Sequence, residues 1–416
     1  MRVLYCHQHF GLERGSLGTR SFAFARALIE RGHEVTMVCG SIEGNGLDLP
    51  PEPSDSVRRG RIEGIDVIEL VLPYSNYDNL KKRSLTFLRY AGRSVDIGLR
   101  EEFDLIFATS TPLTAGIPGV VTKWIRGKPF VFEVRDLWPE APKSMGVVRN
   151  PVVLWALGAL EWICYRSADA CVGLSPGMVR GIENRSEEGK RITLIPNGCD
   201  FKFFPPPKGG RIQLQGVEEG DFTAVFLGTH GRTNGLNAVL DAARVVREAN
   251  RKEIKFIFIG DGLEKPDLMA RATRDGLDNC LFFDPMPKVE AARTISNADV
   301  GLQAMADVPA FYDGTSPNKF FDYLAAGLPV LNNYPGWVAN MITEHNCGVV
   351  VPPRDPEAFA EALFMLAEIP ERRRKMGRNA RSLGKSQFDR DLLAGRFVDL
   401  LESVFEYHDA LSETNL

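Results

Sequence analysis

Ser316-Pro317-Asn318-Lys319-Phe320-Phe321-Asp322-Tyr323-Leu324-Ala325-Ala326-Gly327-Leu328-Pro329-Val330 passes from a polar turn through a helix into an apolar strand. Ser316 is a suitable N-cap, and Pro317 suits the first helical position, where a missing N–H costs nothing. The free N–H groups of that helix start and its positive dipole end then face the Gly314-Thr315 turn, an arrangement that suits phosphate. Lys319 adds a full charge within the same turn. Asp322 follows one turn later, where it can accept from a sugar hydroxyl. Gly327-Leu328-Pro329 stops the helix and Val330-Leu331 opens a strand.

The same alternation extends in both directions. Val3–Cys6, Glu34–Cys39, Ile65–Leu72, Leu105–Ala108, Phe130–Val134, Ala170–Gly173 and Ile192–Ile195 read as strands. Thr19–Arg31, Leu85–Arg100 and Leu113–Arg126 read as intervening helices. A Pro/Gly-rich stretch, Pro205-Pro206-Pro207 with Gly209-Gly210, interrupts the pattern as a linker. The alternation then restarts with strands Thr223–Leu227, Lys255–Ile259, Leu281–Phe283, Val300–Gln303, Pro329–Asn332 and Gly348–Val351. Helices there are Leu236–Glu248, Lys288–Ser296, Asn318–Ala326 and Pro356–Ala367. This order predicts an α/β protein of two doubly wound, Rossmann-like domains with parallel sheets. Residues 1–204 form the first and 205–391 the second, and a terminal helix in 392–416 returns to the first. Facing α/β domains would hold ligand in a cleft at the carboxyl ends of their strands.

Bulk composition is that of a globular protein: 416 residues, 44% hydrophobic, 25% charged, net charge −4. Residues 1–204 carry 26 Lys and Arg against 24 Asp and Glu, the remainder 24 against 30. A nucleic-acid-binding chain would be far more basic. Seven scattered Cys, none in C-x-x-C, argue against disulfides or a zinc site and for a reducing, cytoplasmic compartment. Met1-Arg2-Val3-Leu4-Tyr5 enters a strand at once, so no signal peptide is expected. The longest apolar run, Val152–Leu160, is too short to span a bilayer.

Several loops carry chemical groups. Gly11–Arg20, with Gly15, Gly18, Thr19 and Arg20, is glycine-rich and opens a helix, but it is not G-x-G-x-x-G. Phe132–Glu140 ends a buried strand in Arg135, Asp136 and Trp138, more charge than such a strand usually carries. Pro196-Asn197-Gly198-Cys199-Asp200 reads as a turn. Phe226–Gly235, with Gly228, Thr229, Arg232 and Asn234, is another strand–loop–helix, and Arg232 can pair bidentately with phosphate. His7 and His9 read as same-facing residues of the first strand without a third metal ligand. Asp389-Arg390-Asp391 fits the start of the last helix. Lys82, Arg89, Arg93 and Arg100 form one helical stripe opposite Leu85, Leu88, Val95 and Leu99, so the basic face should be solvated or lie on anionic lipid.

Four segments, Gly32-His33-Glu34-Val35, Arg135–Glu140, Pro196–Asp200 and Ser316–Val330, together resemble the retaining GT-B glycosyltransferases of family 4. The second and fourth look like bacterial N-acetyl-L-fucosamine transferases of O-antigen and capsule assembly. The resemblance covers nearly the whole chain. It implies transfer of a sugar, such as an N-acetylated amino or deoxy sugar, from a UDP-sugar to a lipid-diphosphate-linked saccharide, without a metal or other cofactor. Asp322 takes the place of the ribose-binding acid. The family's first acid falls on Gly314, with Asp313 one residue earlier as its substitute. Thr229 and Asn234 stand where many relatives carry diphosphate-binding Arg and Lys, so Arg232 and Lys319 take over. Met286 lies in the base-binding loop, and Gly314, Thr315, Ser316 and Asn318 complete the donor side. Arg135 stands where many relatives have His and, with Asp136, Gly18 and Thr19, lines the acceptor side. The alternatives are a UDP-sugar 2-epimerase and a non-catalytic nucleotide-sugar-binding subunit.

Overall fold

The computed structural model describes residues 1–15, 17–42, 44–50, 56–75, 78–205 and 214–414. Beyond Pro205, the expected linker lies outside the described residues. Two compact units are present: Met1–Pro196 with Gly314–Ser316 and Asp391–Leu416, and Asn197–Asp313 with Pro317–Arg390.

The first unit has strands β1 (Arg2–Cys6), β2 (Glu34–Ile42), β3 (Val57–Ile62), β4 (Ile65–Tyr74), β5 (Leu105–Thr109), β6 (Phe130–Val134), β7 (Ala170–Gly173) and β8 (Arg191–Leu194). They lie in the order β3-β4-β2-β1-β5-β6-β7-β8. Its helices are α1 (Arg20–Glu30), α2 (Leu80–Arg100), α3 (Ile117–Arg126), α4 (Glu140–Ser144), α5 (Pro151–Ser167) and α6 (Pro176–Glu183). Pairing is parallel except at one edge, where β3 runs antiparallel to β4. The Glu63-Gly64 turn explains the exception: both residues have positive φ, 48° and 87°, which matches the twist of a two-residue hairpin. Runs such as Arg58-Arg59-Gly60-Arg61 carry no apolar alternation, so this edge strand was not legible.

Side-chain alternation along the strands builds two cores. Val3 and Tyr5 of β1 face one core with Val35, Met37, Phe107 and Val131. Leu4 and Cys6 face the other with Val38, Ile106, Phe130 and Phe132. The first core is closed by α1 and by the C-terminal helix Arg390–Thr414, whose Phe397 stacks on Phe24 at 4.5 Å and meets Phe107 edge-on at 4.8 Å. Full burial of a phenylalanine contributes about 1.5–3 kcal/mol, so Phe397 is a strong anchor. The second core is closed by α2, α3 and α5 through Tyr90, Ile97, Val120, Cys164 and Tyr165.

The second unit has β9 (Phe222–Leu227), β10 (Ile254–Ile259), β11 (Cys280–Phe283), β12 (Val300–Gln303), β13 (Val330–Asn332) and β14 (Gly348–Val350), in the order β11-β10-β9-β12-β13-β14, all parallel. Its helices are α7 (Leu236–Glu248), α8 (Lys265–Arg274), α9 (Lys288–Ser296), α10 (Pro309–Tyr312), α11 (Asn318–Ala326), α12 (Trp337–Glu344), α13 (Pro356–Glu368) and α14 (Pro370–Gln387). Both units therefore carry the Rossmann-like winding expected of this βα order. All seven cysteines are buried and free. Among the described residues no helix is long and apolar enough to cross a membrane, and no cluster of His, Cys, Asp or Glu could hold a metal ion.

Candidate active site

In the second unit the carboxyl end of β9 opens into a loop whose geometry depends on glycine. Gly228 has φ 138° and Gly235 φ 57°, conformations that L side chains rarely adopt. The facing loop after β10 contains Gly260 and Gly262, at φ 143° and 154°. A Cβ on Gly260 would overlap the carbonyl oxygen of Gly228, and one on Gly262 would meet that of His230. Two backbones therefore approach where only glycine fits.

Lys319 of α11 reaches this loop. Its Nζ donates to Asn234 Oδ1 at 2.7 Å and lies 4.8 Å from the centre of the Phe226 ring. Among the described residues no carboxylate stands within ion-pairing distance of it. Burial lowers its pKa from 10.5 to about 8, because the charged form loses hydration. Tyr323, one turn further on, fixes the helix to the sheet. Its hydroxyl accepts from Leu227 N at 3.1 Å and faces the carbonyls of Val225 and Leu302. The ring lies where a Cβ on Gly301 would be. Arg232 sits on the 3-10 turn Arg232–Asn234, exposed, with Glu264 3.9 Å away. Thr229 lies in the same loop, and its carbonyl accepts from Asn234 Nδ2 at 2.6 Å.

One donor-side expectation needs correction, and two further donor-side residues hold partners within the chain. Helix α11 begins at Asn318, with extended Pro317 flanking it and no side-chain cap, so Ser316 does not cap it. Asp322 is nearly fully buried and holds Lys288 Nζ at 2.6 Å. Burial raises its pKa, partly offset by Lys288. Asp322 thus neutralises a lysine of α9. Asp313 Oδ1 accepts from Trp337 N at 3.0 Å, at the start of α12, so its carboxylate is engaged in capping. Gly314, Thr315 and Ser316 form the turn between α10 and α11. Met286 lies in the loop after β11, with Thr294 Oγ1 3.8 Å from its sulfur.

In the first unit, Arg20 is engaged in the same way. Expected in an acceptor loop, it is buried beneath that loop. It donates to Glu133 Oε2 at 3.0 and 2.7 Å and to the carbonyls of Pro196 and Ile195. Burial would push Glu133 up, but Arg20, with Arg135 and Thr109, outweighs it and holds the carboxyl below its usual value. Gly15 is a packing residue: a Cβ there would overlap Gly44 O. Gly18 and Thr19 precede α1, and Thr19 makes no side-chain cap bond.

Arg135 and Asp136 lie together at the carboxyl end of β6. Arg135 N donates to Ser110 Oγ at 2.8 Å, and its guanidinium stands 3.3 Å from His7 Nε2. Thr111 Oγ1 donates to Asp136 Oδ2 at 3.3 Å. Burial raises the pKa of Asp136 and lowers that of His7, which Arg135 depresses further. His7 and His9 lie beyond the end of β1 rather than within it, and only His7 meets Arg135. His9 packs on Tyr74 at 4.8 Å. Sequence reading therefore missed His7 and Ser110 as partners of Arg135, and Thr111 as the partner of Asp136. The T-S-T-P stretch that ends β5 was the available signal.

Helix α2 reverses the expected amphipathic reading. Its buried residues are Thr86, Tyr90, Ala91, Ser94, Ile97 and Gly98, whereas Leu85, Leu88 and Leu99 are exposed. On its stripe Lys82 pairs with Asp78, Arg100 pairs with Asp96, and Arg93 donates to Ser56 O.

A glycosyl transferase 4-like domain model matches residues 15–198, and a glycosyl transferases group 1 model matches residues 212–383. Together with the two Rossmann-like units, these matches define the class: the chain belongs to the GT-B glycosyltransferases of the group 1, family 4 type. D-rhamnosyltransferase WbpZ of Pseudomonas aeruginosa is 25% identical over 247 residues, 58% of this chain and 61% of that protein. The chain thus spans under two thirds of that relative's length. Among solved structures, WaaG, a glycosyltransferase involved in lipopolysaccharide biosynthesis, superposes with TM-score 0.69 at 18% identity, over 96% of this chain and 99% of its own. Anabaena HepE in complex with UDP-glucose gives 0.66 at 14%, over 97% and 100%.

Proposed function

We propose that this protein transfers a sugar from a nucleoside-diphosphate sugar to a saccharide hydroxyl, with retention, in surface polysaccharide assembly. The observation that carries the reading is Lys319, a cation with no carboxylate partner among the described residues, held beside the glycine loop after β9. As the bond from sugar C1 to the diphosphate breaks, negative charge grows on the departing phosphate. Pre-placed cations and N–H groups in a dry site stabilise that charge. Lys319 serves this purpose, assisted by Arg232 and the backbone of Gly228–Asn234, and no metal is required. The acceptor oxygen bonds to C1 while its proton passes to a donor phosphate oxygen. Arg135 cannot take that proton, since guanidinium has no acceptor capacity. It orients the acceptor, with Asp136 beside it.

UDP is the favoured nucleotide, supported by the UDP-glucose held by HepE. An N-acetylated amino or deoxy sugar on a lipid-diphosphate acceptor fits the resemblance of the R-D-L-W-P-E and S-P-N-K segments. Work at the inner face of the cytoplasmic membrane follows from such an acceptor. Of the α2 stripe, Arg89 would contact anionic lipid, because Lys82 and Arg100 are paired and Arg93 is bonded to Ser56 O. The test is a donor screen against a prenyl-diphosphate-linked sugar, read by mass spectrometry with EDTA present. Product with one donor and the acceptor mass increased by one sugar is expected. UDP binding with no transfer from any donor would overturn catalysis in favour of a binding subunit. Conversion of a UDP-N-acetylhexosamine without acceptor would point instead to an epimerase.

A further inference from the structure

Helix α5 starts with Asn150, whose side chain accepts from Val152 N and Val153 N, and with Pro151 in its first turn. Its inward face is settled. Glu161, Cys164 and Tyr165 are buried, and Glu161 pairs with Arg185 at 2.8 Å while accepting from Tyr165 Oη. Its outward face is unusual for a surface helix. Val152, Trp155, Ala159, Trp162 and Arg166 recur at intervals of three or four, so they share one stripe. Val152 is 70% exposed, Trp155 74% and Trp162 48%. No charge appears on that stripe until Arg166, whose guanidinium lies 5.1 Å from the centre of the Trp162 ring. Helix α3 packs against α5 and adds Trp124 and Ile125, each 66% exposed, at its own end.

Basic residues predominate around this patch, although Arg166 also pairs with the half-exposed Glu187 at 3.7 Å. Lys143, Arg149 and Arg166 are exposed, and Lys128 is half-buried. Of the carboxylates between Ile117 and Ser167, Glu133 and Glu161 are buried, Asp136 is bonded to Thr111, and Glu140 pairs with Arg185.

We infer that the first unit docks on an anionic lipid surface through the outward face of α5, with Trp124 and Ile125 of α3 alongside. An apolar stripe flanked by Trp and basic residues is the pattern of a helix lying in the membrane interface. Seventeen residues rise about 25 Å, short of the ~30 Å hydrocarbon core, so the helix lies on the bilayer and does not cross it. Scattered exposed apolar residues need no partner, but five large ones gathered on two packed helices do. The chain runs from the Arg135–Asp136 loop through α4 directly into α5. Docking would hold that loop near the bilayer; this use, though not the docking itself, rests on the proposed transfer to a lipid-linked acceptor.

The test is flotation of the full chain with vesicles of phosphatidylcholine alone and of phosphatidylcholine with phosphatidylglycerol, at low and high salt. The wild type should float with the anionic vesicles, with a blue shift of tryptophan emission. Val152→Glu/Trp155→Glu should float at least about tenfold less, while Trp155→Phe keeps most of the binding. Both sites are exposed, so the melting temperature and UDP affinity should not move. Retained UDP affinity separates a docking failure from a failure of the proposed function. Absence of flotation in the wild type, or equal flotation in the double variant, would overturn the inference. So would a dimer seen by light scattering that the double variant dissociates without any vesicle binding, since the face would then meet a second copy.

Discussion

If Lys319 holds the donor diphosphate, nucleotide affinity must follow its protonation. Burial against Phe226 and Gly228 places its pKa at about 8. With that value about 90% of the free protein carries the charge at pH 7 and about 10% at pH 9. Burial lowers a lysine pKa, so the cation is present below about pH 8 and lost above it. Where only the charged form binds, the Kd for UDP rises about tenfold between pH 7 and 9. Calorimetric titration with UDP at constant ionic strength measures this directly. Lys319→Arg supplies the control: guanidinium stays charged throughout, so whatever its starting affinity, the variant's Kd should be nearly flat over the same range. Lys319→Ala should bind weakly at every pH and lose ~10²–10³ in turnover. A wild-type Kd that does not change between pH 7 and 9, together with an alanine variant within about threefold of wild type, would refute the reasoning.

Other outcomes follow from the same contacts. Arg20→Met leaves Glu133 buried without its partner and should destabilise the first unit by about 3–5 kcal/mol, seen as an earlier unfolding transition by tryptophan emission; unchanged stability with weakened acceptor binding would restore Arg20 to the acceptor site. Because Arg20 holds the pKa of Glu133 below its usual value, that stabilisation is present above the unfolded carboxyl value near 4.3 and disappears as pH falls through the folded one. Thermal melts of wild type and Arg20→Met should therefore converge in acid. Asp313→Asn can still accept from Trp337 N, so turnover within about threefold is expected, whereas a loss of ~10² or more would make Asp313 a reacting acid. Gly260→Ala forces a Cβ into Gly228 O and should cost UDP affinity at least about tenfold, measured by titration on protein shown to be folded by circular dichroism.

Chain-local chemistry went far here. Hydrophobic runs of strand length alternating with amphipathic helices were enough for two Rossmann-like units, because a parallel strand buried on both faces must be continuously apolar. Gly327, at φ 72°, ended α11 where a left-handed residue was expected, and Gly228, Asn234 and Lys319 came together at the end of β9. The partners that were not legible have a common cause. Arg20, Asp313 and Asp322 are polar residues in loops or helix turns, and nothing local says whether such a group faces solvent or a buried partner. Glu133 is 113 residues from Arg20 and Lys288 is 34 from Asp322; those separations decide the role of each side chain, and only packing brings the partners together. The face of α2 turned inward for the same reason: which side of a helix a sheet covers depends on strand order, which residue periodicity does not encode. Val152–Leu160 was legible as apolar from the start, but only the tertiary arrangement showed that Val152, Val153, Trp155 and Ala156 remain exposed.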